Sequence, residues 1–404
     1  MKDPVSDWFG VLPGHWQFRK LKFAVMLVTK RPLPNTDEAN RIALENVESW
    51  SGKFVASDSE YEGEGIEFQN NDLLFGKLRP YLAKVYLATK AGLAIGDFYV
   101  LRCSKDITHT FLAHLLRSKS CINIIDSSTY GAKMPRASWE FMGNLPIPLP
   151  PLNEQHAIAA FLDYKTAQID SLIDKKRRMI ELLKEKRTAL ISHAVTKGLN
   201  PDAPMKDSGV PWLGQVPAHW EVKKVAWLMD INSGEALPNE LIEREPDESN
   251  SIPVYGGNGI MGYTGQANVF KQKLIIGRVG AHCGNVHLSQ RIGWITDNAL
   301  VATVRSEAIL DYLFGALKVL DLNRLAARNA QPLITGSLLK QQYIPIPPKS
   351  EQQSIVEYVN RKSAEMTGLH EKTAQAIDSL KEYRAAMITA AVTGQIDVRN
   401  HGAA

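Results

Sequence analysis

Residues 2–20 read KDPVSDWFGVLPGHWQFRK, and residues 206–224 read KDSGVPWLGQVPAHWEVKK. Lys2, Asp3, Trp8, Gly10, Pro13, His15, Trp16 and Lys20 recur at a constant offset of 204 as Lys206, Asp207, Trp212, Gly214, Pro217, His219, Trp220 and Lys224. A second pair of matched segments follows. Residues 145–155 read LPIPLPPLNEQ and residues 344–352 read IPIPPKSEQ, and beyond Glu154 and Glu351 the two copies run without a break at offset 197. There Lys165, Leu172, Lys175, Ile180, Leu183, Lys184, Glu185 and Arg187 return as Lys362, Leu369, Lys372, Ile377, Leu380, Lys381, Glu382 and Arg384. An internal repeat of this kind decides the architecture before any local reading does. Residues 26–143 and 230–342, between the landmarks, share little beyond apolar pattern. The order is therefore matched opening, divergent module, matched closing, given twice. A constant scaffold with two variable modules suits a protein that recognises two different things with one geometry.

The closing segments read as long helices. Pro146, Pro148, Pro150 and Pro151 exclude a helix interior or a central strand, so they mark an extended approach. Asn153 and Ser350 stand where an N-cap is expected, each followed by an acidic residue, Glu154 or Glu351. Leu162, Ile169, Leu183 and Leu190 are spaced by seven or fourteen, and Val359, Met366, Leu380 and Met387 repeat the pattern. The seam is interrupted at Lys176 and, in the same place, at Thr373. A seven-residue apolar repeat is a coiled-coil seam. About forty residues at roughly 1.5 Å each make a helix of about 60 Å, which cannot bury its seam alone. Packing the two copies against each other is the economical solution. Lys175-Lys176-Arg177-Arg178 on the first helix reads as a solvated face.

The divergent modules read as mixed α+β. Residues 66–102 alternate short apolar runs with turn signals at Asn70-Asn71-Asp72 and Gly76. VYGGNGIMGYTG, KLIIGRVGAHCGNVHL and WITDNALVATV punctuate the second module in the same way, and each module carries a helical patch, at 111–118 and 310–320. The boundaries expected are residues 1–150 and 199–348 for the modules, with 151–198 and 349–404 as spacer helices. Polar and basic residues gather at the turns: Lys77, Arg79, Tyr81, Lys133 and Arg136 in the first module, and Asn258, Arg278, His282, Arg328, Asn329 and Gln331 in the second. Arg and Lys can bond guanine O6 and N7, and Asn and Gln can bond adenine. Others would hold phosphates and set register.

Composition permits this reading without requiring it. Net charge is +4 over 404 residues, and only clustered charge leaves a nucleic-acid footprint. Cys103, Cys121 and Cys283 form no C-x-x-C pair and no zinc spacing, which argues for a reducing compartment. With no apolar signal core and no run of 18 apolar residues, a soluble cytoplasmic protein is expected. There is no G-x-x-x-x-G-K-[ST] loop and no proline-proline-aromatic motif of an amino methyltransferase. Pro201-Asp202 followed by Glu221-Val222-Lys223 imitates a metal-dependent nuclease pattern, but Glu221 and Lys223 align with Gln17 and Arg19 and belong to the repeated opening. The His15-Trp16 and His219-Trp220 pairs read as structural packing rather than a metal site.

WFGVLPGHW and WLGQVPAHW, LPIPLPPLNEQHAIAAFLD and IPIPPKSEQQSIVEYVN, with NDLLFGKLRPYL and IPVYGGNGIMGYTG, together resemble type I restriction–modification specificity subunits over essentially the whole chain. The resemblance implies an α+β chain of two target recognition domains in tandem, joined by two long helices in an antiparallel coiled coil with an internal pseudo-twofold repeat. Each domain would read one half of a bipartite site in double-stranded DNA. Two modification subunits would dock on the repeated helical regions, bring S-adenosylmethionine and methylate adenine N6. Motor–nuclease subunits using ATP and magnesium would cleave unmodified DNA. The chain itself would hold no cofactor and catalyse nothing. Two other readings stay open: a coiled-coil scaffold for protein partners, and a single-chain DNA methyltransferase or nuclease.

Overall fold

In a computed structural model, residues 9–31, 40–57, 65–129, 133–325 and 332–398 are described below. The chain divides into two compact units, residues 1–177 with 374–404, and residues 178–373. Each unit holds one module together with a part of each of two long helices, Leu152–Lys197 and Lys349–Val392.

The matched segments owe their pairing to a two-stranded ribbon. In the first unit Gln17–Lys20 runs antiparallel to Pro146–Leu149, from Gln17↔Leu149 to Lys20↔Pro146. In the second, Glu221–Lys224 pairs Tyr343–Ile346 in the same sense. Prolines are tolerated because a two-stranded ribbon has only edges. The ribbon brings the His-Trp pair of the opening onto the first turn of the closing helix. His15 Nε2 lies 2.7 Å from Glu154 Oε1, and Trp16 Nε1 donates to Oε2 at 2.9 Å. His219 and Trp220 hold Glu351 Oε2 at 2.8 and 3.0 Å. The pairs are structural, as their sequence setting suggests, and their carboxylate partner is the acidic residue of the matched Glu-Gln.

The glutamine of that dipeptide is buried and ties helix to module. Gln155 Oε1 accepts from Thr108 N at 2.8 Å, and Nε2 donates to Asp106 O and Pro150 O at 2.9 Å each. Gln352 accepts from Ile309 N at 2.8 Å and donates to Pro347 O at 2.9 Å. Helix geometry begins before Asn153 and Ser350. Gln155 N bonds Pro151 O and Gln352 N bonds Pro348 O, so the prolines take the cap positions. Their ring-fixed φ suits the first turn, and the expected Asn153 and Ser350 caps are not formed.

In each module a four-stranded antiparallel sheet lies beside a three-stranded mixed one. The first module orders Val25–Val28, Phe98–Cys103, Leu73–Gly76 and Val85–Leu87 in the larger sheet, and Arg41–Ile42, Gly92–Ile95 and Gly65–Phe68 in the smaller. Leu74, Phe98 and Val100 from one sheet and Ile42, Phe68 and Ala94 from the other share a core. The second module repeats the larger sheet with Met229–Ser233, Ala299–Val304, Leu274–Gly277 and Val286–Leu288. Its smaller sheet is Gly259–Thr264, Ile252–Gly256 and Trp294–Ile295.

The long helices run antiparallel within each unit. In the first, Arg384 reaches back to Asp170, while Gly394, Ile396 and Val398 lie beside Glu154 and Ile158. In the second, Ala194 and Val195 share a core with Ile355, and Ile191, Val356 and Val359 pack against it. Of the seam positions, Leu162, Ile169 and Met387 are buried, and Leu183, Leu190, Val359, Met366 and Leu380 are half-buried. The interruption at Thr373 is not structural: Thr373 is buried, and its hydroxyl is satisfied by Leu369 O at 2.7 Å. Lys176 is likewise half-buried in line with the seam, its stem covering apolar surface. Buried or half-buried residues at 162, 166, 169, 173, 176, 180 and 183 follow the alternating three- and four-residue steps of a heptad.

Candidate DNA interface

The two modules, so different in sequence, build the same loop. Leu73–Gly76 pairs Val85–Leu87 and Phe98–Cys103 in the register Leu73↔Leu87 and Leu73↔Leu101. Leu274–Gly277 pairs its neighbours as Leu274↔Leu288 and Leu274↔Ala302, every partner displaced by 201. The chain leaving the strand is held in one way in both. Lys77 N bonds Asp97 O, Ala137 N bonds Lys77 O, and Arg79 N bonds Pro135 O, each at 2.8 Å. Arg278 N bonds Asn298 O at 3.0 Å, Ile334 N bonds Arg278 O at 2.9 Å, and Gly280 N bonds Pro332 O at 3.0 Å. Leu78↔Arg136 and Val279↔Leu333 are matching bridges. Arg79 (φ 51°) and Gly280 (φ 73°) both adopt the left-handed conformation that turns the chain into a short 3₁₀ turn. Arginine tolerates it at a cost of order 1 kcal/mol that glycine avoids.

Candidates chosen from each module separately thus fall on equivalent positions: Lys77 on Arg278, and Tyr81 on His282. In the first module Lys77 and Arg136 converge on Asp97. Arg136 donates to Asp97 Oδ2 through Nη2 at 3.0 Å, Lys77 Nζ lies 3.6 Å from Oδ1, and the Lys77 ammonium sits 5.5 Å from the centre of the Tyr99 ring. Asp97 fixes two cations in one direction without enclosing them. Arg79, Tyr81 and Lys133 are exposed. Tyr99 is held by Ala137 O and Trp139 N at 2.9 and 3.0 Å, and burial raises its phenol pKa, so it is a neutral platform.

In the second module Arg278 is half-buried. Its Nη1 donates to Ser233 Oγ at 3.0 Å, beside a cleft of about 220 Å³ also lined by Thr335, Ser337 and Lys340. Asn258 is exposed at the 257–258 turn, its Oδ1 accepting from Asn285 Nδ2 at 3.2 Å. His282 is exposed. Arg328, Asn329 and Gln331 lie outside the described residues. Sequence reading missed Asp97 and Asn298, equivalent residues that aim the basic side chain in one module and hold only its backbone in the other. The signal was present in the shared aliphatic-aliphatic-aromatic/aliphatic-Gly-basic run, LLFGK against LIIGR.

Both surfaces present cationic and amide donors in open positions, suited to phosphate oxygens and base edges. Among the described residues no group of His, Cys, Asp or Glu is arranged to hold a metal ion, and no helix is long and apolar enough to cross a membrane. Glu221 of the nuclease-like pattern is paired with Lys223 at 2.5 Å on the repeated ribbon.

Residues 13–182 and 217–379 each match the family model described as the type I restriction modification DNA specificity domain. Curated relatives include the EcoprrI specificity subunit of Escherichia coli, 34% identical over 29% of each chain. The EcoDI specificity subunit of Escherichia coli is 24% identical over 56% of this chain and 48% of that one. The MjaVIII specificity subunit of Methanocaldococcus jannaschii is 25% identical over 55% of this chain and 51% of that one. The matches span about half or less of these relatives. A chain in a solved structure concerned with complex assembly and conformational transition of the type I R-M system superposes with a TM-score of 0.75 at 20% identity, covering 96% of this chain and 100% of that one. The HsdS subunit from Thermoanaerobacter tengcongensis gives 0.54 at 20% identity, covering 95% and 98%. At such identity the likeness is one of fold.

Proposed function

The chain belongs to the type I restriction modification DNA specificity family, and on that premise we propose that it reads a bipartite DNA site, one half with each module, and catalyses nothing itself. The observation that carries the proposal is the common loop. Lys77 and Arg278 leave equivalent strands at equivalent positions, while the side chains around them differ. A frame that is constant and a chemistry that is not will present different donor sets to DNA in one orientation. The helices fix the interval between the half-sites. Modification subunits supply S-adenosylmethionine and transfer its methyl group to adenine N6, and motor–nuclease subunits supply ATP- and magnesium-dependent cleavage. All of these act in the cytoplasm.

The test is to express the chain with its neighbouring modification subunit and map N6-methyladenine across the host genome. The expected result is a split motif with a fixed unspecified interval. Exchanging residues 26–143 for another such module should then alter one half only. Assembly without any methylated motif would favour the scaffold reading, and methyl transfer by the purified chain alone would favour the single-chain enzyme.

A further inference from the structure

The two units treat one matched pair of cations in opposite ways. In the first unit the His109–Arg117 helix runs along the long helices, with His114 Nε2 at 2.8 Å from Asp163 Oδ1. At its end Arg117 is covered by the turn at 48–53, where Ser51 O accepts from Nη1, and Ala113 O accepts from Nε at 3.0 Å. Beside it, Arg384 donates to Asp170 Oδ1 at 2.9 Å and to Trp50 O at 3.3 Å, and Lys53 Nζ lies 2.9 Å from Asp170 Oδ2. The turn is shaped for this: Gly52 has φ 68°, and a Cβ there would lie 2.1 Å from Val85 O. Burial, then the like charge of Arg384, lowers the Arg117 pKa to about 10. Two carboxylates, Asp163 and Asp170, and three backbone carbonyls offset that repulsion.

In the second unit the Leu310–Val319 helix takes the same course against its part of the long helices. The Tyr312 hydroxyl lies 3.1 Å from Val195 O and 2.9 Å from Pro345 O. The offset of 201 places Lys318 where the first unit has Arg117, and the offset of 197 places Arg187 where it has Arg384. The same offsets put Asn360 and Thr367 in place of Asp163 and Asp170. The cations are kept and the acids are gone. Lys318 lies over the Phe314 ring at 4.5 Å, and burial followed by the charge of Arg187 pushes its ammonium below the usual lysine range. Among the described residues neither Arg187 nor Lys318 has a carboxylate at ion-pair distance, and both are exposed. On the neighbouring Val286–Leu288 strand, His287 has its buried Nε2 without a partner.

We propose that Arg187 and Lys318 are the seat of an acidic segment of the modification subunit, a carboxylate of which takes the place that Asp170 fills in the first unit. The proposal rests on the specificity-subunit reading. The first unit supplies the template for the occupant: a turn offering carboxylate and backbone carbonyl oxygens to two cations. The first unit satisfies its two cations with its own acids and carbonyls, whereas the second leaves Arg187 and Lys318 exposed without an acid, and that charge complementarity points to an external acidic partner.

Two variants of the full chain test it in titrations with the purified modification subunit. Arg187→Glu with Lys318→Glu is expected to weaken binding by about tenfold or more and to flatten its dependence on salt. Asn360→Asp with Thr367→Asp installs the first unit's acids; it is expected to raise the melting temperature of the free chain and weaken binding. This second variant keeps the test decisive if the charge reversal unfolds the chain. If both variants bind within about twofold of the parent, the seat is refuted and the specificity-subunit reading stands. If the parent chain itself does not bind the modification subunit, that reading falls and the seat with it.

Discussion

Replacing Gln155 with methionine should loosen the first module from its helix. The side chain is fully buried and makes three hydrogen bonds, to Thr108 N, Asp106 O and Pro150 O. Methionine keeps the length and apolar stem and removes both polar ends. Asp106 is exposed, so its carbonyl can turn to water. The Thr108 N–H and the Pro150 carbonyl, half-buried and buried, have no such replacement. Each of these two stranded groups costs about 1–3 kcal/mol, which sums to roughly 2–6 kcal/mol. That is a large part of the ~5–15 kcal/mol stability of a typical domain. At 1.4 kcal/mol per factor of ten, the opening equilibrium of the first unit should rise about 30-fold or more. Hydrogen exchange over residues 105–117 is the appropriate assay, because a chain of two units need not unfold in one transition. The exposed neighbour His156→Ala serves as control and should change stability by no more than about 0.5 kcal/mol. A loss below about 1 kcal/mol with unchanged exchange at 105–117 would refute the claim that this glutamine joins helix to module.

Lys77→Ala and Arg278→Ala should each lower DNA affinity by about 1–3 kcal/mol and relax sequence preference in one half-site only. Competition binding with half-site mutants checks this, and an effect spread over both halves would count against it. Glu351→Ala strands the Trp220 indole N–H in the interior and should destabilise the second unit by about 1–3 kcal/mol in urea unfolding. Thr373→Val should be close to neutral, within about 0.5 kcal/mol, since the hydroxyl bonds only its own helix. His114 gives a pH signature. Burial outweighs its bond to Asp163 and lowers its pKa below 6.5, so the unfolded chain binds a proton that the folded chain refuses. Stability should therefore fall on acidification below about pH 6.5 by up to ~1.4 kcal/mol per unit, until the folded pKa is reached. His114→Gln should flatten that slope.

The repeat, the helices and the modules were legible because each leaves a local pattern: identities at constant offset, a heptad, glycine-punctuated apolar runs. What escaped depends on partners far along the chain. Asn153 and Ser350 looked like caps because short polar residues usually serve there, but the preceding prolines already supply the cap carbonyl. Thr373 looked like a break because a polarity count ignores a hydroxyl bonded within its own helix. The Arg384–Asp170 contact joins positions that no spacing rule connects. The loop at Lys77 and Arg278 lies between these cases. Its residue types were readable, but its equivalence showed only in one five-residue run, LLFGK against LIIGR, because the modules match at offset 201 and the flanking segments at 204 and 197. Insertions on either side of the strands hide the register. Once the sheets are superposed by their pairing, the backbone after each strand is the same and cannot distinguish one DNA sequence from another. On the proposed reading, discrimination would come from side chains that differ on that frame: Lys77 against Arg278, Tyr81 against His282, and Asp97 against Asn298. Replacing a few residues there, with the ribbon and the helix clamps left unchanged, is therefore expected to alter recognition.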